Sequence, residues 1–513
     1  MFASSVLVTT ILGWVVARSV YRLYFHPQAY SWTQMAGHFY FDVIKGGKFI
    51  WETERLHKIY GLPLIRINPH EVHINDPDYY QEVYAAISRR RENDAIYIHV
   101  FGLPGSSFST INADLHLKRR GPLNELFSKN AITDIVPLIQ EKVERLMFHL
   151  EEGFRSKKVI HIDSGFFALT ADVIHHYMYG YSENNIEMED FDHTARDGIN
   201  GMFRSHHVLY FFPILLHLES LPVKILKRIN IHIEALTKQK KCLYNKAVEA
   251  AQAFSTSEGY NKTRNIDVLV NPDNFSVEER DPVRLKNESM SLITAGTETA
   301  GRALDVATFY ICSNSHILRR MRAELIQVMP EPNSKLTCSP LEQLPYLVTV
   351  KRDDNERHKQ SAVVNESFRM ASGTSGRFSR TAPTEALVYN EIILPPGVSC
   401  IPFPISHFEK NESKTPISSS NHLMLRHPKI FPDPDSFDPD RWIRATAKGE
   451  RLEKFFVNFS KGSRSCLGRH LIRCLHLEIY DTPQANIECG CDFGVPYPEQ
   501  GNLSVCTLIT GLV

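Results

Sequence analysis

Apolar and polar positions repeat with different periods along this chain, and the changes of period mark out its elements. Phe2 to Ala17 is nearly all apolar, with Arg18 and Arg22 after it and no basic residue before it. Charge following an apolar run places the C-terminal side in the cytosol. Val20, Leu23, Tyr24 and Phe25 extend the run, with the arginines snorkelling, towards the roughly 20 residues that a span requires. A cleaved signal peptide usually carries its charge ahead of the apolar core and ends in small residues, so residues 1–25 are expected to form an anchor that stops at His26-Pro27. Tyr60 to Pro77 alternates, with Leu64, Ile65, Ile67, Val72 and Ile74 around Asn68-Pro69, which predicts a β-hairpin. Helical periodicity covers 133–250, broken by the apolar stretch Val208 to Leu216; a loop that apolar is either core or membrane-seeking. Pro282 opens a long apolar-periodic helix through Tyr310, and Leu477 to Asp481 alternates again like a strand. The expected class is mainly α with a small β region.

Composition narrows this further. The 513 residues are 43% hydrophobic with no formal net charge, which supports a sizeable core and argues against a nucleic-acid partner or an acidic tail. Nine scattered cysteines show neither zinc spacing nor a small-domain disulfide framework, so a reducing compartment is expected. One glycosylation sequon, at Asn458, falls inside the stretch with the densest chemistry, a placement that suggests the body never meets the glycosylation machinery.

That stretch is Phe459-Ser-Lys-Gly462-Ser-Arg464-Ser-Cys466-Leu-Gly468. A thiolate is the ligating form of cysteine, and the free amides at a helix N-terminus lower a thiol's pKa and hold the anion. Gly462 permits a tight bend, Gly468 lets a flat partner approach, Phe459 offers an apolar wall and Arg464 can pair with an acidic group beside the sulfur. A haem with two propionates satisfies all of these at once. The commoner fate of a lone cysteine is structural burial, but five fixed positions among ten weigh against it.

At these residues the chain resembles the cytochrome P450 family, whose signature Phe-x-x-Gly-x-Arg-x-Cys-x-Gly is matched at every fixed position. The resemblance implies the P450 fold, haem b ligated by Cys466, and monooxygenation of an apolar small molecule by O2 with NADPH-derived electrons; thiolate donation favours O–O cleavage. It carries His116 and Arg120, four apart on one helical face, together with Arg380 and Arg464, to the haem propionates, where the bland alternative for the first pair is a solvated basic face. Within Ala295-Gly296-Thr297-Glu298-Thr299 it implies that Ala295 faces substrate, Gly296 loosens the helix to make room for dioxygen, and Thr299 with Glu298 relays protons; a packed helix with a kink is the alternative. Glu366 and Arg369, ordinarily a weak surface pair, become by resemblance a buried trio with Arg441 from a later loop. Val208 to Leu216 becomes a lid that dips into the bilayer. The implied partners are an NADPH-cytochrome P450 reductase, with cytochrome b5 as an optional second donor, and the endoplasmic reticulum membrane, with the body, residues 26–513, in the cytosol. No dinucleotide fingerprint marks a reductase domain in this chain.

The likeness is greatest to fungal secondary-metabolism monooxygenases of the trichodiene-oxygenase type, and the chain departs from them in four places. The proline-rich hinge is missing from Gln28 to Gly37. Charged residues 350–361 and irregular residues of about 399–418 both read as unspliced or misread inserts. The helix after Cys466 has room for about three turns at 1.5 Å per residue, about half the family's length. Two rival functions follow: a haem-thiolate isomerase or dehydratase needing no external electrons, against which Glu298-Thr299 speaks, and a non-catalytic product of a damaged gene or gene model.

Overall fold

One helix of 32 residues, α7 (Pro282–Ser313), runs through the middle of the molecule. Asp281 caps it by accepting from the amides of Val283 and Arg284, and Pro282 occupies its first turn, where a missing N–H costs nothing. At 1.5 Å per residue it is about 48 Å long. The computed structural model describes residues 35–68, 71–95, 101–157, 160–191, 193–212, 215, 233–255, 265–328, 346, 349–350, 359–360, 362–396, 416–472 and the strand residues 491–492, 496–497 and 506–507. The expected anchor, most of both expected inserts and the expected strand at 477–481 lie outside these residues.

The other main helices, in chain order, are α1 (Phe49–Tyr60), α2 (Ala113–Leu126), α3 (Val136–Ser156), α4 (Ile162–Tyr179), α5 (His193–Phe211), α6 (Ile233–Ser255), α8 (Ser315–Val328), α9 (Ala362–Ala371), α10 (Asp440–Ala447) and α11 (Arg469–Ile472). Helix α4 is buried on almost every side, Asp163, Asp172 and His175 included, and lies antiparallel against α7. The register is fixed by three contacts: Gly296 meets Ile174, the Thr170 hydroxyl donates to the Thr297 carbonyl at 3.0 Å, and Gly301 lies against the backbone of Phe166 and Phe167. A Cβ on Gly296 would stand 3.1 Å from Ile174 Cγ1, so this glycine serves close helix packing. The resemblance gave it a different task, loosening the helix.

The expected hairpin is present, β1 (Leu64–Arg66) antiparallel to β2 (Val72–Ile74). It joins β3 (Glu92–Asn93), β4 (Arg380–Thr381) and β5 (Ile417–Ser418) in a sheet of order β1-β2-β5-β4-β3. Ile417 is fully buried at its centre. The second insert, expected to reach about residue 418, therefore ends at a strand that belongs to the fold. Two further expectations are corrected. Val208 to Phe211 belong to α5, because an apolar stretch with Tyr210 packed on His38 and Phe211 can continue the helical ladder where sequence alone suggested a loop. Arg441 also sits on a helix, α10, where a loop was expected. Its Nε meets Glu366 at 3.1 Å, Arg369 meets the same carboxylate at 2.8 Å, and Trp442 Nε1 donates to Glu366 Oε2 at 2.9 Å.

Candidate active site

The cysteine turn is built by its backbone. Gly462 has φ +71°, and a Cβ there would lie 2.0 Å from the Ala85 carbonyl oxygen, so no side chain fits. Ser463 N–H donates to that same carbonyl at 3.2 Å, and Cys466 N–H donates back to the Phe459 carbonyl at 2.8 Å, closing the loop. Phe459 packs its ring on Phe368 of α9 and on Phe456, at 5.4 and 5.9 Å between centroids, which anchors the turn to the core.

Cys466 is exposed at the tip of this turn, open on one side and walled by protein on the others. Burial of the sulfur pushes the thiol above its ordinary pKa, with the Gly468 amide, Arg120 and Arg469 acting in the opposite direction. The sequence reading expected a helix N-terminus to lower it. The Gly468 amide that does so stands directly ahead of the helix beginning at Arg469, while desolvation acts the other way. At Gly468 a side chain would meet nothing nearer than the sulfur itself, at 3.9 Å, so the backbone beside Cys466 is open to a flat partner.

Around the sulfur the structure gathers cations. Arg464 Nη1 and Nη2 donate to the Thr110 and Ile111 carbonyls, each at 2.8 Å, and its buried Nε has no partner among the described residues. Arg120, on α2, donates to the Ser465 carbonyl and, at 3.1 Å, to Asn124 Oδ1. Arg380, on β4, donates to the carbonyls of Phe378 at 3.1 Å and Ser379 at 3.2 Å. His116, one turn before Arg120, is buried. Desolvation, then the charges of Arg464, Arg120 and Arg380, push its imidazole down to about 2, so it is neutral. Desolvation first, then Arg380 and Arg120, depress the Arg464 guanidinium to about 9, with Glu92 opposing. Among the described residues neither Arg120 nor Arg464 forms an ion pair; their bonds go chiefly to carbonyls. Positive charge partly withdrawn from water and left without a carboxylate is costly. A group bringing two carboxylates and an iron that accepts a thiolate would neutralise it, so the donor set fits a haem.

Helix α7 supplies the other expected residues. Ala295 is exposed and Gly296 and Thr299 are half-buried in the middle of a helix whose other faces are mostly buried, so an open stripe runs along one side. Thr299 Oγ1 donates to the Ala295 carbonyl at 2.6 Å, tying the hydroxyl to its own helix one turn back. Glu298 does not share the stripe. It is buried and lies in the field of Arg196 and Asp305.

Sequence reasoning missed the link between these halves. Glu288 of α7 accepts from Ser107 N–H at 2.8 Å and from its hydroxyl at 2.6 Å, and pairs with Arg284 at 3.0 Å. Asn287 Nδ2 donates to the Pro104 carbonyl at 2.8 Å. These bonds seat loop 104–111 on α7, and that loop presents the two carbonyls that hold Arg464. The only sequence signal was a Glu and an Arg four apart inside an apolar helix, with partners about 180 residues away.

A sequence model of the cytochrome P450 family matches residues 39–475. Three similar proteins are the conidiogenone synthase of Penicillium rubens, 35% identical over 95% of both chains, the monooxygenase aflU of Aspergillus parasiticus, 33% identical over 99% of both chains, and the monooxygenase TRI4 of Fusarium sporotrichioides, 32% identical over 97% of this chain and 93% of that one. With the fold and signature already in place, the match over most of its length shows that this chain belongs to the cytochrome P450 family, as a haem-thiolate monooxygenase of fungal secondary metabolism.

Proposed function

We propose that Cys466 would hold the iron of haem b through its sulfur, with Arg120, Arg464, Arg380 and His116 holding its propionates and Phe459 and Gly468 lining the space beside the sulfur. The observation that carries this is the cluster of half-buried Arg120 and Arg464 with buried Arg380 beside an accessible thiol, in which Arg464 Nε has no partner among the described residues and the His116 imidazole is neutral. The neutral imidazole can donate a hydrogen bond to a carboxylate without adding a fourth charge. Bound there, a thiolate-ligated haem supplies the activation of O2 and the transfer of one oxygen atom. Arg120 stands close enough to Cys466 that each charge is felt by the other, so it favours the thiolate. Ala295 and Gly296 border the substrate space, and Thr299 holds a proton at its hydroxyl, positioned by the Ala295 carbonyl. Glu298 resupplies that proton.

The substrate is a hydrophobic small molecule. Phe101, Phe108 and Phe378 interlock at 5.0 to 6.3 Å between centroids, and Phe108 and Phe378 adjoin the residues that hold Arg464 and Arg380. This apolar wall against the cation cluster supports that reading. Electrons come from NADPH through a separate flavoprotein reductase, with cytochrome b5 as a second donor. Residues 1–25 anchor the chain in the endoplasmic reticulum membrane with residues 26–513 as the cytosolic haem domain. Exposed Tyr40, Ile44 and Phe212 support contact of this end with a bilayer. Among the described residues no helix is long and apolar enough to cross a membrane.

Cys466→Ser tests the ligand. The reduced, carbon-monoxide-treated protein is expected to lose the red-shifted Soret band of thiolate ligation while keeping its fold by circular dichroism. An unchanged band would assign the iron to another residue.

A further inference from the structure

Behind Glu298 lies a second polar assembly that the cysteine site does not use. The α4–α7 register, in which residue 170 faces 297 and residue 167 faces 301, continues to place Asp163 opposite Asp305. Glu298, Arg302 and Asp305 are spaced four and three apart, so they share one face of α7. Arg196 reaches in from α5, pairs with Asp163 through Nη1 and touches Ser164 Oγ at 3.3 Å. Asp163, Arg196, Glu298, Arg302 and Asp305 are all more than nine-tenths buried. Among the described residues Asp163 Oδ1, Arg196 Nε and Asp305 Oδ1 have no hydrogen-bond partner, and neither has Thr294 Oγ1, one turn before Glu298. So many unsatisfied buried atoms in one seam call for internal water, which typically bridges such groups.

The seam also holds three carboxylates and two guanidiniums. Burial disfavours the surplus negative charge, so one carboxyl keeps its proton. Asp163 has Arg196 directly on it. Asp305 faces Asp163 across the helix pair and is the group held far above the usual carboxylate range, by desolvation and the Asp163 charge, with Glu298 adding and Arg196 and Arg302 opposing.

We propose that Asp305 is a proton-donating positioning residue, whose carboxyl group resupplies Glu298 through internal water held between α4, α5 and α7. This rests on the assignment of Glu298 and Thr299 above. In the step, the Asp305 O–H bond breaks as a water takes its proton, a proton leaves the far end of the water chain to form O–H on the Glu298 carboxylate, and a hydronium ion from bulk solvent restores the Asp305 O–H and leaves as water, so one solvent proton is consumed for each delivered. No electrons move. At 1.5 Å per residue the two carboxyls arise about 10 Å apart along α7, so the transfer needs the intervening water.

Two readouts test it. Infrared spectra of protein labelled with 13C-aspartate should show, at neutral pH, a protonated carboxyl band that shifts in D2O and is missing in Asp305→Asn. In the reconstituted holoenzyme Asp305→Asn should keep haem content yet lower product formed per NADPH at least about threefold, less than the loss of a primary acid–base group, with a larger solvent isotope effect. Thr299→Ala and Glu298→Gln are run alongside. If they uncouple and Asp305→Asn does not, the inference is overturned while the Glu298–Thr299 assignment stands; if they stay coupled, that assignment fails and the inference with it. Should Asp305→Asn not fold, Asp163→Asn serves instead: removing its like charge should shift the Asp305 band's titration to lower pH. An unmoved titration, or no protonated band in the parent, overturns the proposal.

Discussion

At the scale of single residues, the cysteine turn depends on one position that tolerates no side chain. Gly462 combines a left-handed φ with a Cβ site 2.0 Å from the Ala85 oxygen. The obstacle is backbone, so it cannot swing aside as a flexible side chain would. Gly462→Ala is expected to cost more than about 2 kcal/mol and to move the amide of Ser463 off the Ala85 carbonyl. Haem bound per protein, measured by absorbance after reconstitution, should fall at least severalfold; occupancy equal to the parent's would show that the turn can form elsewhere. Cys466 itself carries a different lesson. Desolvation raises the thiol, and the Gly468 amide ahead of the following helix, then Arg120 and Arg469, lower it, so the thiolate is favoured by that amide, by the two arginines and by what it binds.

Elements are joined by buried charge as much as by apolar packing. Glu366 of α9 receives Arg369, Arg441 and Trp442 in a site where both guanidiniums are nearly or fully buried. Asp438 N–H donates to the same carboxylate at 2.9 Å. Glu366→Gln keeps the shape but leaves two arginines without their counter-charge. Breaking a buried pair in this way costs roughly 3–5 kcal/mol, and the cost should appear as a lower urea midpoint with an unchanged slope. A midpoint shift worth less than about 1 kcal/mol would mean that the trio behaves like a surface pair. The same logic joins α7 to the cysteine turn. Loop 104–111 is set by Glu288 and Asn287, and Arg464 is held by that loop, so α7 and the cysteine turn share one chain of hydrogen bonds.

Across the whole molecule, buried histidines make stability depend on pH. His57 Nδ1 donates to the Leu62 carbonyl at 2.8 Å, so its Nε2 must accept from His73 Nδ1, 2.7 Å away, and His73 Nε2 then accepts from Ser420 N–H at 3.1 Å. Every position in this chain of bonds is used, and an added proton breaks it. Burial lowers the pKa of both rings, and burial with the Lys246 charge takes His175 to about 4. The unfolded chain binds protons near 6.5 and the native state resists them. Stability is therefore fully present above about pH 6.5 and is lost as pH falls towards the folded values, His175 alone contributing roughly 3 kcal/mol of loss by pH 4. Thermal midpoints should be level from about pH 7 to 8 and drop steadily below about pH 6; a level midpoint down to about pH 4.5 would contradict the buried neutral histidines.

Local pattern carried much of this protein. The hairpin at Leu64–Ile74, the start of α7 at Pro282, the helix holding His116 and Arg120, and the cysteine signature all rest on contacts within a few residues, which spacing and residue type specify directly. The family follows from the signature for the same reason. What tertiary structure alone decided are pairings between distant segments: Glu288 with Ser107, Arg464 with the Thr110 and Ile111 carbonyls, Gly296 against Ile174, and Asp163 opposite Asp305. The residue types at these positions have ordinary local readings, a surface ion pair, a hinge glycine, a helix-capping acid. Which reading holds depends on burial and on the partner across the interface, and both arise only when the helices pack and water leaves between them.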